Sequence, residues 1–225
     1  MEMPPDSASS DVLLEHGAFH LAALGADDGA AAMRDAFATV QDGLRTAQRA
    51  TVGAREAAAG AEALRIAAEV RVETSLRKLE LILLAGVNKR RKDEPYVSAF
   101  PEGVTGAIAP LGNGQVAEAK RILALLAPTA GEPPAGVPAE AGATLVELLR
   151  GATALEERVR NEDAAAEAEA RAFSTELSLR RSWREQYRKG HGLLTAQYPT
   201  DRKRVDSFFK KASKSKAKKP APPAS

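Results

Sequence analysis

Three features of this 225-residue sequence predict an all-α fold. Two long stretches, residues 6 to 94 and 139 to 198, contain no proline, although the chain has 13. Both are rich in Ala, Glu, Arg and Leu, the strongest helix formers, and lack β-branched runs. Each also reads large, small, large in its apolar residues, so the two profiles match when one is reversed. The expectation is an elongated antiparallel helical hairpin, coiled-coil-like, with an alanine-rich waist. Short helices cap both ends, making a four-to-five-helix bundle with a disordered basic C-terminal tail.

The elements follow in chain order. Residues 1–9 are expected to be a disordered N-terminus, and residues 10–211 a single helical bundle. Gly25 and Gly29 bracket Asp27 and Asp28, a helix stop followed by an N-cap signal. This separates a short helix, about 10–24, from a long one, about 28–91. The long helix carries Met33, Phe37, Val40, Leu44 and Ala47, then AREAAAGAEALRIAA, then Val72, Leu76, Leu79, Leu83 and Val87. Lys89 to Lys92 supply cations suited to a helix C-terminus. Gly43, Gly53 and Gly60 are places where it could kink.

Residues 93–138 form a cap and loop region holding one helix, about 114–127, with Asn113 as its cap. The second long helix, about 139–198, carries Leu145, Leu148, Leu155 and Val159, then DAAAEAEARA, then Phe173, Leu177, Trp183, Tyr187 and Leu194. Facing the two alanine zones makes paired positions sum to about 228. Small residues let the backbones approach closely, and the shorter arm would run roughly 90 Å if unbroken. A last helix is expected at about 200–211, and residues 212–225 are expected to be a disordered Lys/Ala/Pro-rich tail.

The net charge of +2 hides a strong asymmetry. Residues 1–33 carry −6 and residues 180–219 carry +11. Such a pattern fits an interaction tail, and it equally fits two ends docked on each other. The 46 alanines and 4% aromatics predict narrow seams between helices rather than a thick core. Without cysteine there is no disulfide or thiolate chemistry, which suits a reducing, cytoplasmic setting. The start has no secretory signal pattern, and the apolar run LILLAGV is far short of the roughly 20 residues a membrane helix needs.

Each candidate site has a structural reading beside the functional one. His16 and His20 share a helix face at metal-binding spacing, but further ligands are missing, so structural histidines are expected and no metal. LGNGQ, 111–115, places glycines before a helix start, where N–H groups could hold an anion, but lacks the lysine of a phosphate loop. EPYVSAFPEG offers Tyr96 and Phe100 as a partner-docking loop or as pins of a packed cap. In RRSWREQYRKGHG, 180–192, Arg180, Arg184 and Arg188 recur beside Trp183 and Tyr187. That surface could stack on bases or follow phosphates, or the aromatics could seal the bundle while the arginines pair with the acidic N-terminal helix.

No nucleophile, acid–base pair or cofactor motif stands out, so the chain reads as a non-enzyme with no small-molecule substrate. The preferred function is a structural or protein-interaction protein, a scaffold or adaptor that self-associates or bridges partners. The alternative is association with nucleic acid through Arg202, Lys203, Arg204, Lys214, Lys216, Lys218 and Lys219. KKASKSKAKKPAPPAS, with six lysines and no acid, resembles in composition the tails of linker histones and the basic tails of some granule-coating bacterial phasins. The resemblance spans about sixteen residues. It implies an anionic partner, and through the phasins a granule-surface role as a further alternative.

Overall fold

The computed structural model describes residues 3–126 and 134–211, and among them the chain is helical with no strand. The helices are α1 (Ser10–Gly25), α2 (Ala31–Gly86), α3 (Tyr96–Ala99), α4 (Gly103–Ile108), α5 (Asn113–Leu126), α6 (Ala141–Gln197) and α7 (Arg202–Ser207). A single 3-10 turn, Asp28–Ala30, leads into α2 and is capped by Asp27, whose Oδ1 accepts from the Gly29 N–H at 3.1 Å. The lysine-rich residues 212–225 lie outside the described residues, as do 127–133.

The long helix ends at Gly86, five residues short of the expected 91. Asn88 takes the left-handed conformation, φ 51°, and so does Lys89, φ 63°. The Lys89 N–H donates to Leu84 O at 2.8 Å and the Asn88 N–H to Ala85 O at 3.1 Å. This pair of bonds is a Schellman closure, and it satisfies the last carbonyls before the four cations begin. The C-terminal helix shrinks to Arg202–Ser207, begun by Asp201, whose Oδ1 accepts from the Arg204 N–H at 2.9 Å. The cap region holds α3 and α4 besides the one expected helix; both are too short to show a helical period in sequence.

The chain divides into two compact units, one from residues 54–169 and one from the described parts of Met1–Gly53 and Ala170–Ser225. In the 54–169 unit, α2 and α6 run antiparallel, as pairs of falling and rising number show. Arg55 bonds Glu169 (3.2 Å), Arg65 bonds Glu162 (2.5 Å), and Lys78 bonds Glu147 (3.1 Å). Val72, Leu76, Leu79 and Leu83, spaced four, three and four, bury one α2 stripe against Leu148, Ala152, Leu155 and Val159. Helices α3 to α5 close this core with Tyr96, Phe100, Val104, Val116 and Ile122. Burial of each large side chain contributes roughly 1.5–3 kcal/mol. Gly151 allows close approach: a Cβ there would stand 3.3 Å from Val72 Cγ2.

The other unit pairs the first part of α2 with the last part of α6, again antiparallel, with Gln41 on Trp183. Its core holds Leu13, Leu24, Phe37, Leu44, Trp183, Tyr187, Leu194, Val205, Phe208 and Phe209. The N-terminal segment, expected to be disordered, packs from residue 3: Pro4 and Ala8 are buried. The paired numbers in the two units sum to 223–227, up to five below the expected 228. The register is set by specific interlocks, Trp183 on Gln41 and Gly151 on Val72, rather than by centring the alanine zones.

Candidate functional site: the aromatic and basic end

The segment RRSWREQYRKGHG lies on α6 in the unit formed by the first and last described parts of the chain. Its aromatic residues face inward. Trp183 and Tyr187 are each 0% exposed and stack at 4.7 Å. Phe37 meets Trp183 edge-on at 5.5 Å, and Phe209 meets Tyr187 edge-on at 5.1 Å. The Trp183 indole N–H donates to Gln41 Oε1 at 2.7 Å, and the Gln41 amide donates to Leu14 O at 2.8 Å. Burial pushes the Tyr187 hydroxyl up to about 12. These rings are therefore core, and stacking on bases is not open to them.

The cations divide into two groups. Four are held within the unit. Arg180 donates to Ser10 Oγ (2.7 Å) and Glu176 Oε1 (2.6 Å), and Ser10 donates to the same carboxylate at 2.5 Å. Burial raises the Glu176 carboxyl, but the bonds from Ser10, Thr51 and Arg180 outweigh it and hold the group below its ordinary value. Arg184 donates to the Pro5 and Asp6 carbonyls at 2.8 and 3.0 Å. Arg204 bonds Asp27 at 2.8 Å and lies over the Tyr198 ring at 4.1 Å, and Lys210 bonds Glu15. The Arg204 guanidinium, helped by the Tyr198 hydroxyl, holds Asp27 below the usual carboxylate range.

A second group, Arg181, Arg188, Lys189, Arg202, Lys203 and Lys211, is exposed and makes no ion pair among the described residues. Of the candidate nucleic-acid contacts, then, Arg202 and Lys203 are free, and Arg204 is engaged with Asp27. Lys214, Lys216, Lys218 and Lys219 lie outside the described residues. The acidic N-terminal region thus engages Arg204 through Asp27 and Lys210 through Glu15, while the second group keeps its charge without an ion pair among the described residues.

The remaining sequence candidates resolve into structure. Tyr96 and Phe100, offered as a docking pair, are each 1% exposed, and the Tyr96 hydroxyl donates to Glu80 at 3.0 Å. A loop of prolines and aromatics becomes two core pins because α5 closes over it. In LGNGQ the Gly112 N–H, at φ 54°, donates to Glu69 Oε1 at 2.6 Å, so the chain's own carboxylate takes the place of an anion. His16 and His20 are buried, and His20 Nδ1 contacts the Phe208 carbonyl at 2.8 Å. Among the described residues no group of three His, Cys, Asp or Glu side chains is arranged to hold a metal ion, and no helix is long and apolar enough to cross a membrane.

In the 54–169 unit the α2 and α6 pair is covered on one flank only. Glu69 and Glu80, which bond Gly112 and Tyr96, lie to one side of the buried α2 stripe. Ala68, Arg71 and Ser75 lie to the other, at 100° per residue. That flank forms an open groove lined by Ala68, Val70, Arg71, Thr74, Arg150 and Gly151, with Glu147 and Ala154. Leu64 beside it is 51% exposed and Val70 56%.

Comparison with protein families, with curated proteins and with solved structures finds no match to this chain. The reading of its function rests on the geometry alone.

Proposed function

We propose that this chain is a non-enzymatic helical interaction protein that self-associates through the uncovered flank of its α2 and α6 pair. The observation that carries the reading is the open groove of the 54–169 unit, lined by Ala68, Gly151 and the half-exposed Val70, with the half-exposed Leu64 one helical turn before Ala68. Burying such side chains drives association roughly in proportion to the apolar area removed from water. The flank carries both signs, Arg71 and Arg150 beside Glu147. Two copies related by a two-fold axis can therefore set acid against base, as closed symmetric dimers do.

Size-exclusion chromatography with light scattering tests this on the full chain. The wild type is expected as a dimer, and Leu64→Glu with Val70→Glu as a monomer with unchanged helix content. A wild type that stays monomeric at every concentration would refute the reading, as would a double variant that remains dimeric.

A second reading has its own support. Arg188, Lys189, Arg202, Lys203 and Lys211 are exposed, make no ion pair among the described residues, and precede the lysine-rich residues 212–225. In this reading the chain associates with nucleic acid, with phosphates rather than bases as the contacts, because Trp183 and Tyr187, the rings beside these cations in sequence, are sealed in the core.

A further inference from the structure

The end of the described chain is held by two histidines. Phe209 stacks on His20 with ring centroids 4.7 Å apart and 22° between planes, and the His191 ring lies tilted against the same Phe209 ring at 5.3 Å. His20 itself is 1% exposed. Phe37 meets it edge-on at 4.9 Å and Tyr187 at 5.1 Å. Its Nδ1 lies 2.8 Å from the Phe208 carbonyl, so the neutral ring carries its proton there and donates to the segment it holds. Its Nε2 faces Gly190, where a Cβ would come within 3.2 Å. A second proton would go on Nε2, toward backbone, while the Phe208 bond is already made.

The charged and titratable groups on the surrounding elements offer that proton little. On α1 these are His16, itself buried, and Glu15, which bonds Lys210. On α2 the nearest turn carries Arg34, which pairs with Asp35. On α6 they are the neutral Tyr187 hydroxyl, the cations Arg184 and Arg188, and His191. On α7 and beyond they are Arg202, Asp206 and Lys210, with Asp206 acting on His191. Burial holds His20 below its ordinary value against the pull of the Phe208 carbonyl, and burial lowers His191 as well. The aromatic faces attract a cation by about 0.5–2 kcal/mol, less than several kcal/mol for stripping an ion of water.

We infer that His20 is a pH-sensitive latch: neutral, it clamps Phe208 to Lys211 onto the helical unit, and protonated, it releases them. Release separates Lys210 from Glu15 and adds its charge to the exposed cations and to the lysines that follow in sequence. The sign follows from the depressed value. The unfolded or released form binds the proton more readily, so latching is complete above the ordinary histidine value of about 6.5 and is lost as pH falls below it.

Nuclear magnetic resonance on the full-length chain decides this. Histidine ring and backbone amide signals are followed from about pH 8 to about pH 5. His20 is expected to titrate below the ordinary value, with the Phe208 to Lys211 amides losing exchange protection at the same midpoint. His20→Gln, which retains a donor for Phe208 O, is expected to abolish that transition, while His191→Gln leaves its midpoint in place. The latch is refuted if the four amides stay protected while His20 titrates, if His20 titrates at or above the ordinary value, or if His20→Gln keeps the wild-type transition. A transition removed by His191→Gln instead would also refute it. Should His20→Gln fail to fold, the wild-type titration alone still decides.

Discussion

Adding one methyl group at Gly17 should cost the aromatic core its hydrogen-bonded anchor. Gly17 lies on α1 beneath the Gln41 side chain, and a Cβ there would stand 2.0 Å from Gln41 Oε1 and 2.6 Å from its Cδ. Gln41 must then swing away, giving up the 2.7 Å bond from the Trp183 indole and the 2.8 Å bond to Leu14 O. The indole N–H, on a side chain with no exposed surface, would be left without a partner. A buried group orphaned in this way costs about 1–3 kcal/mol, and alanine's helix preference over glycine returns up to about 1. Counting both ends of the bridge, Gly17→Ala should destabilise by about 1–6 kcal/mol. Gly53→Ala is the matched control, since nothing lies within 4 Å of a Cβ there, and it should stabilise by roughly 0.5–1 kcal/mol. At this chain length each kcal/mol moves the melting midpoint by about 2–4 °C. Trp183 is the sole tryptophan, so its fluorescence during thermal unfolding reports on this unit for both variants. A Gly17→Ala midpoint at or above the wild type would refute the reasoning.

Two further outcomes follow from the same end of the molecule. Glu176→Gln should destabilise by about 1–3 kcal/mol, because the bonds from Ser10 and Arg180 lose their charge while the site stays buried. In the wild type the carboxylate's contribution is present above its unfolded value of 4.5 and fades as pH falls below it. Urea midpoints should therefore converge between wild type and variant under acid and separate at neutral pH. If the second functional reading holds, a chain ending at Lys211 should bind duplex DNA with a salt slope about 3–4 units shallower than the full chain, as expected for four lost phosphate contacts. Anisotropy titrations at several salt concentrations measure it, and equal slopes would remove the lysine-rich residues from the interface.

Periodicity made the fold legible. Val72, Leu76, Leu79 and Leu83 recur at three and four residues, Phe37 and Leu44 lie two helical turns apart, and all are buried. Proline placement marked where the long helices yield to the cap. Helix ends were less visible, because the stop after Gly86 depends on Asn88 adopting a left-handed turn that glycine usually supplies. The basic end was half legible. Charge asymmetry fitted an interaction tail and docked ends equally well, and the Arg204 bond to Asp27 and the Lys210 bond to Glu15 are instances of such docking. The polar links inside it were not, since Gln41 and Glu176 look like ordinary helix-surface residues until a partner helix covers them. Gly17 was the one available signal, a glycine inside a helix where any side chain would meet Gln41.

Between Thr51 and Ala68 on α2, and between Val159 and Glu176 on α6, no residue is buried. This bears on the order in which the chain can fold. The 54–169 unit is one continuous segment, whereas the other joins two segments separated by that whole length. Closing the discontinuous unit first would mean ordering a loop of more than a hundred residues before any contact repaid it. Once the continuous unit forms, the antiparallel packing of α2 on α6 brings its two ends together, with Arg55 beside Glu169. The loop left to close is then only a hairpin's worth of chain. Damage to the central segment should accordingly slow the assembly of the terminal unit, while damage to the terminal unit should leave the central one able to fold.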